Sequence, residues 1–215
     1  MHMIMANTTQ LTEQYLDQHP YVKDCLKKGI INYSRLSRII AKELSIEKKT
    51  SMEAILIACR RYALKIKKDA SHETKILSLL TKSQIEIKNR IVTVIIDKKV
   101  FTENLLDIEK KIRAKADMFY AIEGASAFTI IVSEKYLDEI KEVFKRNIIK
   151  VTKDLALITL KSDEDLEDVP GVVSFIYSLF SENGINIVET MSCWTDTIVL
   201  IKENDISNVM KFLKF

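Results

Sequence analysis

From Leu11 to about Lys68 the apolar residues recur at helical spacing and no stretch alternates apolar with polar. Tyr21, Val22, Cys25 and Leu26 form one stripe, which Gly29 closes as a C-cap. Asn32 is placed to cap the next segment, where Leu36, Ile39, Ile40 and Leu44 repeat. A third helix starts at Thr50 or Ser51 and carries Ile55, Cys59, Tyr62 and Ile66 on one face. These segments predict a small all-α domain over residues 11–72, behind a flexible leader at 1–10.

After a polar stretch near Asp69 to Thr74 the period changes. Ile85 and Ile87, then Ile91 to Ile96, predict two strands around the turn Lys88-Asn89-Arg90. A helix follows over Thr102 to Lys115, then strands at Met118 to Glu123 and Ala127 to Val132 joined at Gly124, then a helix from Glu134 to Arg146. The order β-α-β-β-α then repeats. Leu155 to Leu160 reads as a strand, Pro170 to Asn183 as a helix, Ile185 to Cys193 and Thr197 to Ile201 as strands, and Ser207 to Leu213 as a helix.

The later parts of the two copies superpose without gaps when Ile130 is set on Val199. Ile131 then falls on Leu200, Leu137 on Ile206, Ile140 on Val209 and Phe144 on Leu213. Apolar matches across both strand and helix indicate a structural duplication, and the unit is the ferredoxin-like βαββαβ motif. The predicted fold is therefore α+β: two such modules, 83–153 and 154–215, behind the helical domain. The second module is interlaced or lacks its last strand, because the chain ends at Phe215 straight after a helix. Either Ile85-Glu86-Ile87 or another subunit must complete that sheet, since an open edge invites association.

Composition adds constraints. The chain has 215 residues, 47% hydrophobic and 29% charged, which describes a globular protein. Its longest apolar runs are strand-sized, so neither a membrane span nor a secretory signal is expected. Three scattered cysteines (Cys25, Cys59, Cys193) form no CxxC pair and fit a reducing cytoplasm. Net charge is +3, but residues 1–72 hold thirteen Lys/Arg against seven Asp/Glu, and residues 154–215 hold four against eleven. A basic front and an acidic back suggest different partners. Four dispersed glycines exclude a P-loop or dinucleotide fingerprint. His2, His19 and His72 sit in no HExxH and face no evident nucleophile. The acidic run Asp163 to Asp168 lacks the spacing of a calcium loop. Neither catalysis, a metal nor a cofactor is expected.

The positive chemical signal lies in the last third. Asp168-Val169-Pro170-Gly171-Val172 leads into an apolar helix, and Asn183-Gly184-Ile185-Asn186-Ile187 leaves it. A helix start offers free N–H groups and partial positive charge, both suited to a carboxylate. An ordinary strand–turn–helix connection would show the same residues.

Asp154 to Leu160, Val169 to Val172 and Leu179 to Ile187 together resemble an ACT domain, most like the tandem regulatory region of aspartate kinases. Residues 85–96 and 127–145 resemble the other half of that tandem, although Lys98-Lys99-Val100-Phe101-Thr102-Glu103 lacks the Pro-Gly. The resemblance implies an amino-acid sensor without a kinase domain, pairing side by side as a dimer or higher homo-oligomer. The ligand would lie between the loop Asp168, Val169, Pro170 and Gly171, with Val172, and the strand Ile185, Asn186 and Ile187. Asp168 would take the α-ammonium, and Asn186 would bridge ligand or partner backbone.

Asn32 to Leu44 and the helix after it resemble a helix-turn-helix regulator. Arg35, Arg38, Lys42, Lys48, Lys49, Arg60 and Arg61 would supply contacts to double-stranded DNA. The resulting expectation is a non-enzymatic, cytoplasmic, amino-acid-responsive transcriptional regulator. The alternatives are an orphan regulatory subunit docked on a biosynthetic enzyme, and a purely structural oligomer.

Overall fold

The computed structural model describes residues 7–67, 71–99 and 102–215. Within them the chain forms two compact units, Met1–Thr74 and Lys75–Phe215. His2, Asp69, and Val100 and Phe101 of the first module's loop lie outside the described residues.

Among the described residues the first unit holds four whole helices rather than three: α1 (Thr8–Gln18), α2 (Pro20–Lys28), α3 (Tyr33–Glu43) and α4 (Met52–Lys67). Helix α1 begins inside the expected leader. Asn7 caps it through a reciprocal bond with Gln10, satisfying two otherwise orphaned donors. Gly29 ends α2 in the left-handed conformation, at φ 69° and ψ 20°. Asn32 then caps α3, its side chain accepting from the Arg35 N–H at 3.0 Å. Helix α4 is the centre of the unit. Its Ile55, Cys59, Tyr62 and Ile66 are buried with Leu16, Leu26, Leu36 and Ile40, so the expected stripe is the core face.

The second unit begins within α5 (Ser71–Lys82), whose Ile76, Leu79 and Leu80 are buried. It continues with β1 (Gln84–Asp97), α6 (Thr102–Arg113), β2 (Phe119–Glu123), β3 (Ala127–Ser133), α7 (Leu137–Phe144) and β4 (Ile148–Lys161). It closes with α8 (Val172–Glu182), β5 (Glu189–Cys193), β6 (Asp196–Lys202) and α9 (Ile206–Phe212). All six strands make one antiparallel sheet in the order β2-β3-β1-β4-β6-β5.

Two 14-residue strands, β1 and β4, run through the middle of this sheet. The expected turn at Lys88-Asn89-Arg90 is instead a bulge within β1. One extra residue there, with Arg90 at φ 54°, is matched by one in β4, with Asp154 at φ 56°. The first part of β1 completes the sheet of the ACT-like second half: Ile85 pairs with Leu160 and Ile87 with Ile158. Likewise the first part of β4 completes the first half, Val151 pairing with Val94. Each half thus has ferredoxin-like strand order, and each borrows a strand from the other's segment. That settles the missing strand in favour of Ile85-Glu86-Ile87.

The superposed pairs occupy matching places. Ile130, Leu137, Ile140 and Phe144 lie in the core under α6 and α7, whereas Val199, Val209 and Leu213 lie in the core under α8 and α9, with Ile206 packed against it. Ile131 and Leu200 sit together on the opposite face with Ile91, Leu155, Leu157 and Ile198. The sheet curls around this inner face.

Candidate functional site at the start of helix α8

At the C-terminal end of β4 the chain is tied down at once. The Ser162 N–H donates to the Thr195 carbonyl at 2.8 Å, fastening the loop to the β5–β6 turn. The acidic run then makes a 3-10 turn, Glu164–Asp168, pinned by the buried Leu166. Helix α8 starts at Val172, two residues later than expected, so Pro170 precedes the helix instead of filling its first turn. Gly171 is the N-cap, at φ 94°, and the helix has no side-chain cap bond. Its first N–H groups are therefore open to an external acceptor. Two linked bonds fix the helix to the sheet: Tyr177 Oη pairs with Thr190 Oγ1 at 2.7 Å, and Thr190 Oγ1 donates to the Ile198 carbonyl at 3.1 Å.

A cleft of about 360 Å³ lies between this loop, the first turn of α8 and the β5–β6 turn. Its walls include Val169, Pro170, Gly171, Val172 and Val173, with Ser174, Ser192 and Trp194. Glu167 is among the lining residues; Asp168, exposed like Glu167, stands next to it in the chain and is not part of the wall. Trp194 has the positive φ of 46° and is 61% exposed. One further polar group borders this end of the sheet. Thr197 is the cross-strand partner of Ser192, is fully buried, and its Oγ1 has no hydrogen-bond partner. A buried hydroxyl in that state marks a place where a polar atom would be welcome.

The other expected site residues lie elsewhere. Ile185 is buried in the core and its N–H donates to the Phe180 carbonyl at 2.9 Å; Asn186 is exposed and Ile187 half-buried. They follow the C-terminal end of α8, and an 11-residue helix is about 16 Å long. The segment before Glu189 is also not strand, as the longer expected strand required. Within one chain, then, the loop and Ile185-Asn186-Ile187 stand at opposite ends of the module. Ser192 and Trp194 escaped the sequence reading because only the β4–β6–β5 pairing brings the second turn to the first loop.

In the helical unit Arg35, Arg38 and Lys42 are exposed on α3, Lys48 and Lys49 on the loop after it, and Arg60 and Arg61 on α4. The Arg60 guanidinium lies 5.8 Å from the centre of the Tyr33 ring. Burial, then the neighbouring Glu43, push the Tyr15 hydroxyl up to about 12, and burial pushes the Cys59 thiol up to about 11. In the sheet unit burial raises the Glu189 carboxyl, against the pull of Lys150. Among the described residues no three His, Cys, Asp or Glu side chains gather as a metal site, and no helix is long and apolar enough to cross a membrane.

Comparison with known proteins falls on this unit. Residues 150–214 match the model of the ACT domain. No curated protein matches the chain. Among solved structures, aspartate kinase from Clostridium acetobutylicum is 17% identical with a TM-score of 0.50, over 60% of this chain and 33% of that one. Aspartate kinase from Synechocystis is 15% identical with a TM-score of 0.50, over 62% of this chain and 26% of that one. The regulatory subunit of aspartate kinase from Thermus thermophilus is 11% identical with a TM-score of 0.49, over 61% and 94% of the two chains. The match thus spans about a third of the length of the first kinase. At these identities the likeness concerns the fold.

Proposed function

We propose that this chain is a non-catalytic, amino-acid-responsive regulator. An amino acid enters the cleft with its carboxylate on the open N–H groups of α8 and its ammonium beside Glu167 and Asp168. The uncapped start of α8 within the ACT-matched segment carries this reading. The site is shared between two copies. Strand β5 lies at the sheet edge, and a two-fold pairing of β5 edges runs them antiparallel. One copy's Ile185-Asn186-Ile187 then approaches the other's Asp168, Val169, Pro170 and Gly171. Ligand binding favours one arrangement of the homo-oligomer through its differential affinity, and so sets the spacing of the helical units. Those units bind double-stranded DNA, where half-site spacing matters, which makes the protein a cytoplasmic transcriptional regulator.

A thermal-shift screen over the twenty amino acids tests the sensor. A ligand at about a hundred times its dissociation constant adds about 2.7 kcal/mol, or roughly 5–10 °C at this size. A flat response to all twenty refutes it. Amino-acid binding with no affinity for duplex DNA at low salt would instead favour a regulatory subunit docked on an enzyme.

A further inference from the structure

In the helical unit the tight helix–turn–helix connection is not between α3 and α4. Those two are separated by residues 44–51, which include Ser45 at φ 54°. The short connection joins α2 to α3. Gly29 donates to the Cys25 and Leu26 carbonyls and Ile30 to the Cys25 carbonyl, then Asn32 caps the next helix. A Cβ at Gly29 would meet nothing within 4 Å, so the glycine answers to its positive φ alone. A short turn with glycine is the kind of connection that joins the two helices of a helix-turn-helix, and α3 itself packs chiefly against α4.

The faces of the two candidate helices differ. On α3, Leu36, Ser37, Ile40 and Ala41 are buried, and Ser34, Arg35, Arg38 and Lys42 are exposed. Arg35, Arg38 and Lys42 are three and seven residues apart, which sets them within about 60° of one another around the helix. Among the described residues none of the three forms an ion pair. The only carboxylate on α3, Glu43, accepts from the Tyr15 hydroxyl at 2.7 Å. Arg60 adds a cation beside the first turn, over Tyr33. The exposed face of α3 carries one large apolar residue, Ile39, whereas α4 is the core helix of the unit and its exposed face mixes Arg60 and Arg61 with two, Ile57 and Leu64.

From this we infer that α3 is the helix that enters the major groove of duplex DNA. Arg35 and Arg38 lie in its first two turns, where a reading helix meets base edges. Lys42, one turn further, and Arg60 meet phosphates. Arginine's planar fork matches guanine's two acceptors, which is why the arginines take the base-reading place. This inference rests on the DNA-binding reading above and names α3 as its reading helix.

The full chain is tested with a random-sequence duplex pool, by selection and by anisotropy titration across salt. The wild type should enrich a defined site. Arg35→Ala and Arg38→Ala should each weaken that site by about 5–150-fold and relax base preference, and Arg38→Lys should restore affinity more than selectivity. Lys42→Ala and Arg60→Ala should weaken all sequences alike and lower the log–log salt slope by about one. Arg61→Ala, on α4, should weaken all sequences alike at most and leave base preference intact. All of these side chains are exposed, and unchanged helical circular dichroism checks the fold. If Arg35 and Arg38 variants select the same site as the wild type while Arg61→Ala changes it, α3 is not the reading helix and the DNA reading stands. If the wild type binds no duplex even at low salt, or prefers single-stranded RNA or anionic vesicles, both fail.

Discussion

Replacing Thr197 by valine should stabilise the second unit. The hydroxyl is fully buried between β5 and β4, opposite Ser192 on one side and Leu160 on the other, and Oγ1 has no partner. An unsatisfied buried polar group costs about 1–3 kcal/mol. Valine keeps the branched shape suited to a strand and removes that cost. A net gain of about 1–2 kcal/mol corresponds to a rise in melting temperature of about 3–6 °C for a domain of this size. Trp194 is the chain's single tryptophan and stands at the same cleft. Its emission during urea unfolding therefore follows this unit and not the helical one. The midpoint should rise with an unchanged slope, which separates a true gain from a change in compactness. A loss of about 1 kcal/mol or more would show that the hydroxyl is satisfied and refute the reasoning.

Three further outcomes follow from positions already described. Gly171→Ala should cost about 1–2 kcal/mol, because φ is 94° and the new Cβ would meet only ordinary contact with Ile76 Cδ1 at 3.4 Å; a neutral result in urea unfolding would show that the turn relaxes freely. Burial holds the Glu189 carboxyl above its ordinary value, so the unfolded chain ionises first as pH rises, and stability should fall through that window and level off above it. Glu189→Gln cannot ionise, so it should flatten this fall and raise the urea midpoint at neutral pH; a lower midpoint would mean that Lys150 outweighs burial. A native thiol titration should modify the exposed Cys193 readily and spare Cys59, which is buried with its thiol raised to about 11, until denaturant is added. Rapid native labelling of Cys59 would contradict the packing of α4.

The parts of the fold that were legible are those whose information is local or periodic. Ile55, Cys59, Tyr62 and Ile66 announced a helix face, Gly29 and Asn32 its neighbours' ends, and the matched apolar pairs announced the duplication. The errors came where tertiary pairing overrides local cues. Lys88-Asn89-Arg90 looks like a turn because three polar residues interrupt two apolar runs, yet β4 lies alongside both runs and turns the interruption into a bulge. Residues 148–154 carry little alternation and still continue β4, because β1 supplies partners throughout. Ile76, Leu79 and Leu80 have plain helical spacing, overshadowed by the polar stretch before them. The Pro-Gly loop was visible from its residues, whereas Ser192, Trp194 and Thr197 join it only through strand order. Glu167 joins Val169 to Val172 in the cleft wall because the buried Leu166 fixes the phase of the turn.

The exchange of strands between the halves has an evolutionary side. The half without a Pro-Gly between its first strand and helix cannot be removed alone. Its segment holds Gln84 to Lys88, which is the last strand of the half that keeps the loop, and it takes Ile148 to Val151 in return. A cut between residues 153 and 154 would divide β4 and leave raw sheet edges on both pieces. Neither half can be shuffled into another gene alone, and the pair persists as one heritable part.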